Sequence, residues 1–185
     1  MQYFFLVEGE TEQALVNALY IGQVKVVNLW CLPRRKIFTL LRVIPYKSVK
    51  VMVVCDTDRV DLLSCSNFIA NFNSLVSHVG AENVALFQQS GNLEHELLYC
   101  MGIQRARLWA IFNRATGDAQ LKKNILSDRL LLQHLHSNGF DVDKLWGRPN
   151  CHHLNPLSAY TRTSKTCAWL QLRPEAKALM KVRNG

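Results

Sequence analysis

None of the chain's cysteines has a second cysteine three residues away, so the paired C-x-x-C ligands of zinc ribbons and dithiol redox sites are ruled out. No G-x-x-x-x-G-K-[ST] stretch occurs either, and any ATP hydrolysis of the P-loop kind must therefore come from another chain. Apolar runs are short. None is long enough to span a bilayer, and the opening residues Met1 to Val7 have no basic flank and meet Glu8 too soon for a signal peptide. Internal repeats and low-complexity tracts are missing too, which argues against a solenoid or a disordered tail.

What remains is a chain of 185 residues, 49% hydrophobic, enough to bury a real core. Its six cysteines, at 31, 55, 65, 100, 151 and 167, mostly sit inside apolar runs, as reduced cysteines of a cytosolic protein do. These features predict a soluble, cytoplasmic protein without a membrane partner. "CHH" at 151 to 153 offers zinc ligands, but consecutive ligands seldom aim at one ion and no second pair completes a set. The net charge of +8 is unevenly placed. Residues 1 to 100 carry eight Lys and Arg against nine Asp and Glu, while residues 101 to 185 carry fourteen against five. An excess of +9 on the second part suits a polyanion, nucleic acid above all, although a merely solubilising surface would look the same.

Hydrophobic patterning divides the chain in a similar way. Tyr3 to Val7 reads as a buried strand and Glu10 to Tyr20 as a helix with its stripe on Ala14, Leu15, Ala18 and Leu19. A second strand is predicted over 24 to 30 and a basic helix, "RRKIFTLLRVI", over 34 to 44, ended by Pro45. "VKVMVVC" at 49 to 55 is a near-unbroken apolar run, the pattern of a strand covered on both faces. A helix from Leu62 to Val79, a strand over 83 to 87 and a helix from Leu93 to Cys100, capped by Ser90 or Asn92, follow. Alternating strands and helices predict an α/β domain over residues 1 to 100 with a mainly parallel sheet. Residues 101 to 185 read as a basic, mostly helical extension: a helix over 121 to 135, a loop over 148 to 156, and one or two last helices from "SKTCAWLQL" and "PEAKALMKV", the latter opening at Pro174.

The carboxylates stand at informative places. "LVEGETE" puts Glu8 directly behind the first strand, and "VVCDTDRVD" puts Asp56 and Asp58 behind the third. In a parallel sheet the carboxyl ends of the strands share one edge, where ligands bind, so these three should converge there. Converging carboxylates repel unless a divalent cation lies among them, and oxygen ligands of this kind suit magnesium or manganese. Gly9 lets the backbone turn tightly and a phosphate come close. Glu94, in "SGNLEHELL", opens the helix after the fourth strand and would complete the cation site, although Glu94 and Glu96 also read as ordinary helix-start acids. Glu10 and Glu12 fall in a first helical turn, where the dipole favours acids in any case, and both are read as solvated.

At these residues the sequence resembles the Toprim superfamily, shared by topoisomerases, primases and small nucleases including the overcoming-lysogenisation-defect type. The marks are the glutamate of "VEG" after the first strand and the "DTD" after a later one; "SGNLEHELL" is similar to the third acidic motif of the small stand-alone members. The resemblance covers roughly residues 1 to 100 and implies a Rossmann-like Toprim domain cleaving phosphodiester bonds of DNA or RNA, transfer RNA included, with Mg2+ or Mn2+ held by Glu8, Asp56, Asp58 and Glu94. It implies a catalytic role for Glu8, Asp56 and Asp58 and a phosphate contact from a lysine beyond the acidic motifs, Lys122 or Lys123. Relatives of this kind often act in phage defence beside a separate ATPase subunit. The basic residues offered to nucleic acid are Lys122, Lys123, Arg129, Arg162 and Lys165, while Trp146, Tyr160 and Trp169 read as core rather than as stacking platforms. Two rivals stand. "VVCDTDRV" also fits a haloacid-dehalogenase-type phosphatase with Asp56 as nucleophile, although that motif normally lies on the first strand of its domain. A non-catalytic Toprim-fold module that only binds nucleic acid or protein is the other.

Overall fold

The computed structural model describes residues 1–58, 61–148 and 151–181. Four strands, β1 (Gln2–Val7), β2 (Gln23–Val26), β3 (Val49–Asp56) and β4 (Val84–Gln89), form one wholly parallel sheet in the order β2-β1-β3-β4. The helices are α1 (Glu10–Leu19), α2 (Arg34–Leu41), α3 (Leu62–Val79), α4 (Leu93–Met101), α5 (Arg105–Ile111), α6 (Asp118–Ser127), α7 (Leu131–Ser137) and α8 (Pro174–Lys181). The α/β class and the parallel sheet expected from the alternating pattern are therefore present. No described helix is long and apolar enough to cross a membrane.

Strand side chains alternate between two cores. Phe5, Val7, Met52, Val54, Ala85 and Phe87 point to one face, where α1 and residues of α4 to α8 cover them. Phe4, Leu6, Val51, Val53, Cys55 and Leu86 point to the other, beneath α2, α3 and a 3-10 stretch, His152–Tyr160. Burial on both faces explains why β3 reads as an unbroken apolar run. The first core draws on Leu108, Leu121, Leu135, Trp146 and Ala176 as much as on the sheet, so it runs across residue 100. Tyr20 anchors this join: its ring stacks on Phe5 and on Trp146, both at 5.9 Å, and its hydroxyl lies 3.1 Å from the Ser164 hydroxyl.

The later residues depart from the sequence reading in three places. The helix expected over 121 to 135 is broken into α6 and α7. Asp128 causes the break, because its carboxylate accepts from the Leu130 N–H at 2.8 Å and meets His134 Nδ1 at 2.6 Å, giving the backbone an alternative to continuing the helix. "SKTCAWLQL" forms turns rather than a helix. The Thr163 and Thr166 hydroxyls take each other's backbone N–H, and Leu172 then pairs with Tyr20 in an antiparallel bridge. Of the loop expected over 148 to 156, residues 149 and 150 lie outside the described part, but His152 onward is the 3-10 stretch. Leu154 and Leu157, three apart and therefore on one side of a three-residue turn, are buried against α3.

Candidate active site

β1 and β3 lie side by side, and the chain leaves them in opposite directions: α1 leads from β1 outward to β2, whereas β3 leads on to β4. This is the topological switch point of the sheet, and it opens a crevice beyond the strands' carboxyl ends. Glu8 and Asp56 stand on its two sides. The Glu8 carboxylate is held at both oxygens, accepting from Asn28 Nδ2 at 2.9 Å and from the Asp56 backbone N–H at 3.1 Å. Behind Asp56, Thr57 ties β3 to the turn after β4: its N–H donates to the Gly91 carbonyl and its hydroxyl to the Gln89 carbonyl. That turn, with Gly91 at φ +89°, delivers Asn92 as the N-cap of α4, where it accepts from the His95 N–H at 3.2 Å and brings its amide to 3.4 Å from Asp58.

Glu8, Asp56, Asp58 and Glu94 thus line one cavity of about 610 Å³, together with Gly9, Glu12, Asn28, Asn92, Asp118 and Lys122. Among the described residues Lys122, from α6, is the cation of this wall; its Nζ lies 3.5 Å from Glu94 Oε1. Four of the sequence-nominated carboxylates and the nominated lysine are therefore brought together. A Cβ at Gly9 would come within 2.5 Å of Glu12 Oε2, so a larger residue there would push the Glu12 carboxylate aside.

Electrostatics mark the cavity as under strain. Burial, then the charges of Glu12, Glu8, Asp58 and Glu94, push the Asp56 carboxyl up to about 9. Burial also raises Glu8, against the opposing Asp56 N–H, and raises Glu12, against its own backbone N–H and Lys122. The Lys122 ammonium is held above its usual range: burial works against it, but Glu94, Glu12 and Asp56 outweigh that. Buried Asp56 Oδ1 accepts no hydrogen bond, and Glu94 Oε1 has only the Lys122 ammonium, 3.5 Å away. All-oxygen and negative, these acids are a donor set that magnesium or manganese fits, with water filling most of the shell. Among the described residues no three His, Cys, Asp or Glu side chains are placed to grip one ion by themselves. The fit is thus to an ion held by one or two carboxylates, not to a protein cage.

Glu12 is the residue that sequence reasoning misplaced. It is only 4% exposed, not solvated, and it adds its carboxylate to a cavity that Glu10 and Asp118 also line. The signal was in the helical phase: Glu12, Leu15, Val16 and Leu19 form the buried stripe of α1, one step away from the stripe read on Ala14 and Ala18. Because Glu12 is the largest charge acting on Asp56, Glu12→Gln should move the Asp56 titration to lower pH, as followed by carboxyl carbon NMR.

Glu96 has a different task. It is fully buried, and its two oxygens accept from the backbone N–H groups of Ser90 at 2.8 Å and Trp146 at 3.1 Å, fastening the turn that carries Asn92 to the chain beyond α7. Glu96→Ala should destabilise the fold by about 3 kcal/mol, measured by urea unfolding, since buried donors lose their charged acceptor. Of the other basic nominees, Lys123 and Lys165 are exposed, and Arg129 lines a separate cavity between α1, α7 and α8. Arg162 donates to the carbonyls of Ala159 and Thr161. None of these four lines the carboxylate cavity. Trp146 is buried, and Tyr160 and Trp169 pack against the two cores.

Comparison with protein-family models, with curated proteins and with solved structures finds no match to this chain.

Proposed function

We propose that the chain is a metal-dependent nuclease of Toprim type, hydrolysing phosphodiester bonds of DNA or RNA in the cytoplasm. The observation that carries this reading is the cavity at the switch point, where Glu8, Asp56, Asp58 and Glu94 arrive from three strand ends and a buried oxygen of Asp56 accepts no hydrogen bond. One or two of these carboxylates would hold each Mg2+ or Mn2+ ion, with water completing its shell. A bound divalent ion supplies charge neutralisation on a phosphoryl group and a more acidic water.

The protein's own residues do the remaining work. Asn28 and the Asp56 N–H fix the Glu8 carboxylate, so that one oxygen edge faces the cavity without rotating. Lys122, held charged by the surrounding acids, is placed to take a phosphate oxygen. Without such a cation the carboxylates of the cavity would repel a polyanion. A separate ATPase subunit would supply any coupled ATP hydrolysis, since no P-loop motif occurs in these 185 residues.

A second reading is a non-catalytic nucleic-acid or protein-binding module, favoured by the fact that no three described ligands converge on one ion. The phosphatase reading fares less well, since Asp56 ends the third strand of the sheet and not its first. Labelled DNA, RNA and transfer RNA incubated with the protein in Mg2+, Mn2+ or EDTA separates these. Metal-dependent cuts of one substrate class support the nuclease. Binding that EDTA leaves intact, with every substrate uncut, transfers the case to the module; release of phosphate from a small ester alone transfers it to the phosphatase.

A further inference from the structure

On the far side of the sheet, α2 and α3 enclose an open groove of about 700 Å³ that belongs to no part of the carboxylate site. Phe38, Leu41 and Ala70 give it an apolar floor, and Arg42 and His78 stand at one end. Phe38 is 59% exposed, although its helix neighbours Ile37 and Leu40 are buried. A large apolar side chain left in water beside a concave surface is a feature of binding surfaces.

The charge along α2, one wall of the groove, has one sign, and Glu82 follows just past the end of α3 that carries His78. From Gln13 to Cys55 the sequence holds seven Lys and Arg and no Asp or Glu. Arg34, Arg35, Lys36, Arg42 and Lys47 are all exposed at the two ends of α2. Apart from His78, α3 has no ionisable group that is charged near neutral pH. The acids nearest in sequence to α3 lie beyond its ends, and one of them, Asp61, is engaged by Ser64.

We propose that this groove is a docking site for an acidic amphipathic helix of a separate protein. Apolar side chains at helical spacing fill the floor while flanking carboxylates meet the arginines and lysines. Position argues for a protein over a nucleic acid. His78 is bonded to the Ile44 carbonyl, so this end of the groove lies at the strands' amino edge, away from the catalytic cavity by the length of β3, eight residues or about 25 Å. A phosphate chain would use the cations and leave the apolar floor empty.

The test is selection from a displayed library of random peptides about three helical turns long, using the purified chain as bait. The expected result is enrichment of sequences combining Asp or Glu with apolar residues at helical spacing. These should bind Phe38→Asp and Arg42→Glu about tenfold more weakly than the wild type. Both positions are exposed, so the variants should melt as the wild type does; Ser77→Trp, which fills the groove without changing charge, should act in the same way. No enrichment, or enriched peptides that ignore all three variants, overturns the proposal. So does a labelled oligonucleotide whose binding the variants reduce instead, or a dimer of the chain that they split.

Discussion

Asp56→Ala is expected to lower the cleavage rate by about a thousandfold or more in single-turnover assays with Mg2+, while nucleic-acid binding stays equal or tightens. Asp56 is the carboxylate that the fold places most expensively. It closes β3, the strand between β1 and β4, beside Glu8 and within reach of the charges of Glu12, Asp58 and Glu94. One of its oxygens is buried without a hydrogen bond. Ionised without a partner, such a carboxyl costs the fold stability, and an acid so perturbed in a cleft is a candidate for chemistry. Removing it takes one negative charge from the path of a polyanion, which is why binding should not suffer. A variant that cuts as fast as the wild type would sink the nuclease reading at its centre.

The second large effect is on stability, and it reverses with metal. The Asp56 carboxyl keeps its proton up to about 9 in the folded protein, against an ordinary value of 3.8. Between these limits the folded state binds more protons than the unfolded one. Stability of the metal-free protein therefore falls as pH rises through that window, being complete below the lower value and lost above the upper. Asp56→Asn removes the Asp56 share of this dependence and leaves that of Glu8 and Glu12. Urea unfolding in EDTA should show the asparagine variant gaining on the wild type from pH 5 to pH 8.5, by an amount on the order of a few kcal/mol because the neighbouring acids share the proton. Adding Mg2+ at the higher pH should then stabilise the wild type and hardly touch the variant, since an ion takes the ionised carboxylate. Parallel curves for the two proteins would show that the carboxyl is not held in this way.

How much of this was legible in the sequence follows from what each segment depends on. β3 and the helix Leu62–Val79 could be read directly because sheet burial on both faces and a long amphipathic period leave local patterns. The convergence of Glu8, Asp56, Asp58 and Glu94 followed from one topological rule applied to three strand ends. Glu12 escaped because the dipole accounts for an acid in a first turn whether it faces water or a crevice. Asn28 escaped as well, since its value lies in a bond to Glu8 twenty residues away. Residues beyond 100 were the least legible. There the outcome turned on single side chains, Asp128 ending one helix and the Thr163 and Thr166 hydroxyls preventing another, and period carries no trace of such bonds.

The core that runs across residue 100 also sets an order of events at birth. A ribosome delivers the sheet complete by Gln89, with α2 and α3 already able to shut much of one face. The other face, bearing Phe5, Met52 and Phe87, waits for Leu108, Leu121, Trp146 and finally Ala176. For the time needed to translate that remainder, on the order of ten seconds, the nascent chain shows the cell a finished sheet with one oily side covered by α1 alone. Its exposure to aggregation is then governed by the pace of translation, more than by the speed at which any helix forms.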